Sequence, residues 1–246
     1  MWCEKYWRVV IMSSSLDISF YRHYPRVFLP TLLGQEWFIE WSRLIHEDVQ
    51  KVALHLRAID TGLAHTNQQT PSSQQMWRCF QAVGTPSNVR VVVIGQDPYP
   101  TPGVADGLAF STSGKNVHDQ RRQRRPASLN NIFKLITTSY PGIATFETND
   151  LECWARQGVL LINNTWTASA GKPRSHKALP WKFITAIFLG RLFLSQVYKH
   201  KKIVFVSFEN DAKQTLRTVE QEFIRFHEWS KYVLVKHMLH PSHSRC

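Results

Sequence analysis

Four short runs of β-branched residues and leucine, separated by segments with helical periodicity, constrain the fold of this chain more than any other feature. Each run is continuous rather than alternating, which is typical of strands covered on both faces. Strands that alternate with helices favour a parallel sheet with right-handed crossovers. We therefore predict an α/β fold with three α/β/α layers around a central four-stranded parallel sheet. The predicted strands are VVVI at 91–94, VLLI at 159–162, IVFV at 203–206 and YVLV at 232–235.

Helical patterns precede and separate these strands. Their apolar residues recur every three or four positions, and turn residues or N-cap residues bound several of them. Ser128 is a candidate N-cap, because its hydroxyl can accept a hydrogen bond from an N–H of the first turn. The helices are predicted from Trp37 to Leu56, from Ser128 to Pro141, from about Trp181 to Tyr198, and after Asp211.

The chain is predicted to be one domain with an N-terminal arm. Residues 1–30 lack sustained periodicity and are expected to be loosely ordered, and residues 31–246 form the domain. The scattered cysteines, without a C-x-x-C pair, favour reduced thiols in an intracellular protein. No apolar run approaches the roughly 18 residues that a membrane span needs, so we expect no membrane association of that kind.

The net charge of the chain favours a polyanionic partner. Lys and Arg number 30 against 18 Asp and Glu, which leaves a net charge of +12. Nucleic acid is one partner that fits this balance, although solubility or a membrane-surface role would produce it as well.

Polar side chains follow three of the predicted strands, where ligands bind in parallel sheets. They are GQDPY at 95–99, Asn163 with Asn164, and a histidine-rich segment at 237–243. A carboxylate, an amide and an imidazole are therefore expected at one edge of the sheet. Asp97 precedes a proline, so the turn is stiff and can aim its carboxylate into the crevice, although a turn with a solvated aspartate fits the same pentapeptide.

The histidines His237, His240 and His243 raise the alternative of a metal site, because three imidazoles lie within seven residues. Pro241 would break any helix that could bring them onto one face. No carboxylate lies nearby in sequence to complete a ligand set. We therefore predict no metal and no cofactor.

The run VVVIGQDPYP at 91–100 resembles the GQDPYH signature of family 1 uracil-DNA glycosylases. Further motifs of that family follow in the same order and spacing, from about residue 30 to the end, and the herpesvirus members look closest. They are GLAFS at 107–111, RPASL at 125–129, WARQGVLLIN at 154–163, SHK at 175–177 with Trp181, and HPS at 240–242. The resemblance implies the glycosylase-type α/β/α fold and a DNA repair hydrolase that flips uracil out of DNA. Such an enzyme cleaves the N-glycosidic bond and leaves an abasic site, the first step of base-excision repair.

The resemblance implies roles for individual residues. Asp97 would support attack of water on the anomeric carbon and stabilise the cationic sugar, and His240 would donate a hydrogen bond to uracil O2. Asn163 offers one donor and one acceptor, which matches O4 and N3–H of uracil but not the reversed pattern of cytosine. Asn164 is a rival for that role.

The base pocket would take its shape from three further residues. Phe110 would stack on the flipped base, although a phenylalanine after Gly-Leu-Ala is more often part of the core. Tyr99 would fill the space beside C5, so that the methyl group of thymine clashes. The backbone of Gln96 would touch the base.

Contacts with the DNA backbone are expected from Ser128, Ser175 and Ser242, because hydroxyls position DNA without reading its sequence. An arginine run before Pro126 could clamp phosphates, act as a nuclear-import signal or form a solvated loop. The run comprises Arg121, Arg122, Arg124 and Arg125. The resemblance also implies single- and double-stranded DNA containing uracil as substrate, replication proteins as candidate partners, a monomer, and action in the nucleus, the host nucleus for a viral protein.

The sequence departs from the family pattern at three places. Pro100 stands where the family usually has His, and Glu209 with Asn210 replaces a Gly-Ser pair at the DNA surface. Ser244 aligns with the leucine that enters the base stack, and the family's final loop and helix would be absent after Cys246. These departures keep a second hypothesis open: a weakly catalytic or non-catalytic relative that serves as a DNA-binding replication scaffold.

Overall fold

The computed structural model describes residues 37, 49–66, 68–112, 125–142, 148–223 and 232–238. The predicted arm at 1–30 lies outside these residues. In chain order the elements are α1 (Val49–Ala64), β1 (Gln69–Thr70), α2 (Arg78–Val83), β2 (Val91–Gly95), α3 (Ala127–Ser139), α4 (Glu152–Arg156), β3 (Val159–Asn163), β4 (Ala168–Ser169), α5 (Trp181–Tyr198), β5 (Ile203–Phe208), α6 (Glu209–Phe223) and β6 (Val233–Met238), with short 3₁₀ turns at Gln75–Trp77 and Pro86–Asn88.

The central sheet has the strand order β3-β2-β5-β6, and all its neighbouring strands run parallel. The predicted parallel sheet is therefore confirmed, and each of its strands contains most or all of one predicted run. Helices lie on both sides of the sheet, which makes three layers. The pairing of β2 with β3 ends at Gly95 opposite Asn163, so the polar residues that follow these two strands start side by side. β1 and β4 form a separate antiparallel pair.

An aromatic cluster supports one side of the sheet. The fully buried ring of Phe80 lies 4.7 to 5.9 Å, between centroids, from the rings of Trp37, Trp77, Trp166 and Phe188. The pairs with Trp37 and Phe188 are edge-to-face, an arrangement in which the positive edge of one ring meets the negative face of another. Closely packed rings of this size form part of the hydrophobic core.

The boundaries of three helices differ from the sequence predictions. α1 continues to Ala64 rather than ending at Leu56. α3 begins at Ala127 with Pro126 at its N-cap, and Ser128 lies buried in the first turn without capping the helix. The predicted cap is wrong because the fixed φ of proline already suits a helix start one residue earlier. α6 begins at Glu209 rather than after Asp211, because β5 runs directly into the helix. The predicted helix from Trp181 to Tyr198 is confirmed.

The fourth strand is not covered on both faces, as its continuous apolar run had predicted. In β6 the side chains of Leu234 and Met238 are 51% and 38% exposed. β6 forms one end of the sheet order, where fewer elements are available to cover a strand.

Among the helices that the structure describes, none combines the length and hydropathy needed to cross a membrane.

Candidate active site

A cavity of about 240 Å³ opens at the carboxyl ends of β2 and β3. It is smaller than the roughly 300 Å³ at which pockets for drug-sized ligands begin, so it suits a single planar ring better than a whole nucleotide. Most of the site residues predicted from the described segments line it: Gln96, Asp97, Tyr99, Phe110, Ser128 and Asn163.

The turn after β2 is held by its own main chain. The carbonyl oxygens of Gly95 and Gln96 accept hydrogen bonds from the N–H groups of the two residues after β3, both at 2.9 Å. The carbonyl oxygen of Pro100 accepts one from the N–H of Gly171 at 2.7 Å. Since one end of the turn is fixed to the segment after β3 and the other to the segment after β4, Asp97 between them is presented to the cavity in a defined direction.

Asp97 is oriented by Arg174, a residue that no sequence motif indicated. Its Oδ2 accepts a hydrogen bond from the backbone N–H of Arg174 at 2.8 Å. Arg174 adopts a φ of 57°, in the left-handed region, and it also lines the cavity. The only signal in the sequence was its position next to the SHK motif, because a backbone N–H contact leaves no trace in residue type.

The pleat of the sheet separates Asn163 from its neighbour Asn164. Asn163 lines the cavity, whereas the side chain of Asn164 is buried and its Oδ1 accepts a hydrogen bond from Thr215 of α6 at 2.7 Å. Gly95 makes room for Asn163, because a Cβ at Gly95 would lie 2.5 Å from the Asn163 Oδ1. Of the two rival amides, Asn163 is therefore the one at the cavity.

Phe110 belongs both to the core and to the cavity wall. It is 7% exposed, and its ring packs edge-to-face on Phe208 with centroids 5.1 Å apart. Its backbone has a φ of 66°, and its carbonyl oxygen accepts a hydrogen bond from the Tyr99 hydroxyl at 3.2 Å. Burial and the charge of Asp106 raise the pKa of Tyr99, which keeps the phenol neutral and able to donate that bond.

A buried carboxylate holds the loop that carries Phe110. Asp106 accepts hydrogen bonds from the N–H of Leu108 at 3.1 Å, from the hydroxyl of Ser111 at 2.7 Å and from Arg78 at 2.6 Å. Burial raises the pKa of Asp106, and the bond from Ser111 and the charge of Arg78 oppose that rise. A fully buried carboxylate is tolerated here because its hydrogen-bonding capacity is met on both oxygens.

A sequence profile described as "Uracil DNA glycosylase superfamily" matches residues 81–245. The chain belongs to this superfamily. A curated relative, the uracil-DNA glycosylase of varicella-zoster virus (strain Dumas), is 48% identical over 168 residues, which are 68% of this chain and 51% of that protein. The uracil-DNA glycosylase of equine herpesvirus 1 (strain Ab4p) is 35% identical over 153 residues, or 62% of this chain and 46% of that protein. The chain thus spans about half the length of these relatives.

The solved structures support the glycosylase fold independently. The crystal structure of mimivirus uracil-DNA glycosylase superposes with a TM-score of 0.70 and 22% identity, covering 89% of this chain and 72% of that one. At this level of identity the match concerns the fold. The predicted three-layer glycosylase architecture and the resemblance to the glycosylase family are both confirmed.

Two of the predicted departures from the glycosylase pattern lie in described segments. Glu209 adopts a φ of 70°, a conformation that glycine favours, at the position where the family resemblance expects glycine. Pro100 lines the cavity, and its imide nitrogen offers no N–H there. Ser244, the third departure, lies outside the described residues.

The predicted contacts with the DNA backbone are only partly described. Ser175 is exposed, and its hydroxyl oxygen accepts a hydrogen bond from the N–H of Ser169 at 2.7 Å. Arg125 donates to the Asn149 side chain at 2.8 Å, and its guanidinium lies 4.5 Å above the Phe133 ring centroid. The other predicted contacts lie outside the described residues: Ser242, Arg121, Arg122 and Arg124.

The histidine-rich segment is described only at its start. His237 lies inside β6 rather than after it, because the strand continues to Met238, and its Nδ1 is 2.6 Å from the Ser207 hydroxyl. His240, the predicted hydrogen-bond donor to uracil, and His243 lie outside the described residues. Within the described segments, no three His, Cys, Asp or Glu side chains come together as metal ligands.

Proposed function

We propose that this chain excises uracil from DNA by hydrolysing the N-glycosidic bond, which leaves an abasic site. One observation carries the proposal. A small cavity at the carboxyl edge of the parallel sheet is lined by Asp97, Tyr99, Phe110 and Asn163, in a chain that belongs to the glycosylase superfamily. The carboxylate of Asp97 can stabilise positive charge, and the phenol of Tyr99 can act as a steric filter. The ring of Phe110 offers a stacking surface, and the amide of Asn163 offers a hydrogen-bonding edge.

Asp97 is proposed to act on the sugar. As the C1′–N1 bond breaks, its electron pair leaves with uracil and positive charge develops on the sugar. A fixed carboxylate stabilises that charge most strongly where water is scarce, and it can accept a proton from the water that adds to C1′. The N–H of Arg174 fixes the carboxylate orientation, so little reorganisation is needed during the reaction. His240 is proposed to stabilise the departing uracil anion through O2.

Asn163 and its neighbours are proposed to select the base. One amide presents a donor to O4 and an acceptor to N3–H, a pattern that cytosine reverses. Pairing of polar groups in a buried pocket discriminates strongly, because the wrong base leaves a buried group without a partner. Tyr99 is proposed to exclude the methyl group of thymine, and its bond to the Phe110 carbonyl holds it in place.

The substrate is proposed to be uracil-containing DNA, single- or double-stranded. The net charge of +12 supports a polyanionic substrate. The two herpesvirus relatives support a viral protein that acts in the host nucleus. Replication proteins as partners and a monomeric state stay predictions.

The test is release of uracil by the whole chain. An oligonucleotide with one uracil is incubated with protein and a chelator, and alkali then reveals abasic sites as strand breaks. We expect cleavage by the wild type and a loss of about two to four orders of magnitude in rate for Asp97→Asn, with DNA binding kept. Asp60→Asn in α1 is the matched control, since it makes the same chemical change away from the cavity.

Two outcomes would contradict these assignments. A wild type that binds DNA but produces no abasic sites would favour the non-catalytic scaffold. An Asp97→Asn variant that cleaves within a few-fold of the wild type at saturating DNA would remove Asp97 from the reaction.

A further inference from the structure

A second carboxylate near the cavity, that of Asp211, forms ion pairs with basic side chains from two other segments of the chain. Asp211 lies in the first turn of α6, with its side chain 18% exposed. Its oxygens are 3.3 Å from the guanidinium of Arg174, 3.3 Å from the Nζ of Lys177 and 3.2 Å from the Nζ of Lys182. These partners come from the segment after β4 and from the first turn of α5.

Asp211 also reaches the turn that carries Asp97. The side-chain amide of Gln96 donates a hydrogen bond to the Asp211 Oδ2 at 3.4 Å. Gln96 directly precedes Asp97 in the chain, and Arg174 supplies the N–H that holds the Asp97 carboxylate. The Asp211 carboxylate thus contacts Gln96, which precedes Asp97 in the chain, and also Arg174, which binds the Asp97 carboxylate.

The contacts require Asp211 to be ionised, and its surroundings favour that form. Burial alone would raise its pKa, but hydrogen bonds from Lys182 and Gln96, with the charge of Lys182, lower the pKa below its ordinary value. Its place in the first turn of a helix adds the favourable dipole of the N-terminal N–H groups. Asp211 is absent from the residues that line the cavity, so it acts on the site through its neighbours.

We propose that Asp211 is a positioning residue for the glycosylase reaction: it joins Gln96 and Arg174 and so keeps the Asp97 carboxylate aimed at the sugar. The inference rests on the proposed function. It assigns to α6 a part in the reaction beyond covering the sheet. It also explains why Arg174 can keep a left-handed conformation, since its guanidinium is tied to Asp211 while its N–H is tied to Asp97.

The proposal predicts that loss of the Asp211 charge lowers turnover but leaves DNA binding unchanged or tighter. Loss of the Asp211 charge loosens the two segments around Asp97, and displacements of about 1 Å in a site can lower a rate roughly a hundredfold. The same loss leaves Arg174, Lys177 and Lys182 with one negative charge fewer beside them, which favours a phosphate backbone. A purely structural role would instead lower stability, turnover and binding together.

The experiment compares Asp211→Asn with Glu220→Gln in the whole chain. Both variants remove one negative charge from α6, and nine residues of helix separate the positions by about 13 Å. We expect Asp211→Asn to lower kcat on uracil-containing DNA by about ten- to a hundredfold. Its Kd for a uracil-free oligonucleotide should stay the same or decrease. Glu220→Gln should keep kcat near the wild-type value.

A second variant keeps the test decisive if Asp211→Asn does not fold. Gln96→Met retains the size of the side chain and removes the bond to Asp211, so it should also lower kcat. Where both variants fold, the double variant should lose less than the product of the two single effects, because both weaken the same contact between Gln96 and position 211. Independent, multiplicative effects would overturn the proposal, as would a folded Asp211→Asn with wild-type kcat or with turnover and binding reduced in parallel.

The outcome for the wild type separates this inference from the proposed function. An active wild type with unchanged variants overturns only the role of Asp211. A wild type that releases no uracil overturns the proposed function, and with it the inference, because Asp97 would then have no reaction to be aimed at.

Discussion

Substitution of Gly95 by alanine directly tests the geometry of Asn163, the amide proposed to read the base. Gly95 ends β2, and its φ lies outside the left-handed region, so alanine can adopt the same backbone. The added Cβ would lie 2.5 Å from the Asn163 Oδ1, 3.3 Å from the Ala109 Cβ and 3.4 Å from the Phe110 Cε2. The substitution therefore acts on the side chains proposed to read and stack the base.

The magnitude follows from these distances. Ordinary contact begins near 3.4 Å, so the Asn163 oxygen must move by about 0.9 Å to accept the new methyl group. Overpacking of this kind costs about 1–3 kcal/mol of stability, of which the more restricted unfolded chain offsets roughly 0.4–1 kcal/mol. A shift close to 1 Å in a positioned group corresponds to a loss of up to about a hundredfold in kcat/KM.

The assay measures kcat/KM on a uracil-containing oligonucleotide, inhibition by free uracil, and denaturant unfolding. We expect a ten- to hundredfold loss in kcat/KM, weaker inhibition by uracil, and unchanged affinity for uracil-free DNA. Gly142→Ala is the control for lost stability away from the cavity: Gly142 has a φ of 102°, and no atom of the described residues lies within 4 Å of its Cβ position, so alanine there costs about 1–2 kcal/mol of backbone strain. If Gly95→Ala lost stability but kept full kcat/KM, Asn163 would not be the reader.

Three other outcomes are expected. Tyr99→Ala should allow slow release of thymine from a T-containing duplex, because the space beside C5 would open; no detectable thymine would contradict the steric filter. Glu209→Gly should raise the free energy of unfolding by about 1 kcal/mol and tighten DNA binding, because it relieves a φ of 70° and removes a negative charge. Burial lowers the pKa of His176 below 6.5, so the unfolded chain binds the proton first and stability should fall as pH drops below that value. His176→Gln should flatten the dependence of the unfolding midpoint on pH. If that dependence did not change, other titrating groups would be its cause.

The fold was predictable because its signals are local. Short continuous runs of β-branched residues and leucine, separated by segments with helical periodicity, indicate buried strands, and the strands of a parallel sheet all end at one edge. Asp97 and Asn163 could be placed together from that rule before any resemblance was considered, and the structure has both at one cavity. β6 was the exception, since a run of apolar residues does not reveal that its strand ends the sheet.

The choice between Asn163 and Asn164 shows where a local signal stops. Both amides follow the same strand and have the same chemistry, so residue type cannot separate them. The pleat turns Asn164 toward α6, where Thr215, distant in sequence, binds its Oδ1. The family pattern selected Asn163, and the structure supplies the physical reason.

The sequence did not reveal Arg174 and Asp211 as site residues. Arg174 acts through its backbone N–H, and the partners of both residues are distant in sequence. Arg174 meets Asp97 with a backbone N–H, which 18 other residue types could supply, and the two are 77 positions apart. Asp211 was visible only as a residue near a helix start, yet it is 115 positions from Gln96. Contacts of this kind depend on how the segments after β2 and β4 converge with the first turn of α6, which no local pattern encodes. A site predicted from motifs alone therefore contains the groups proposed to touch the base and the sugar, and it omits those proposed to orient them.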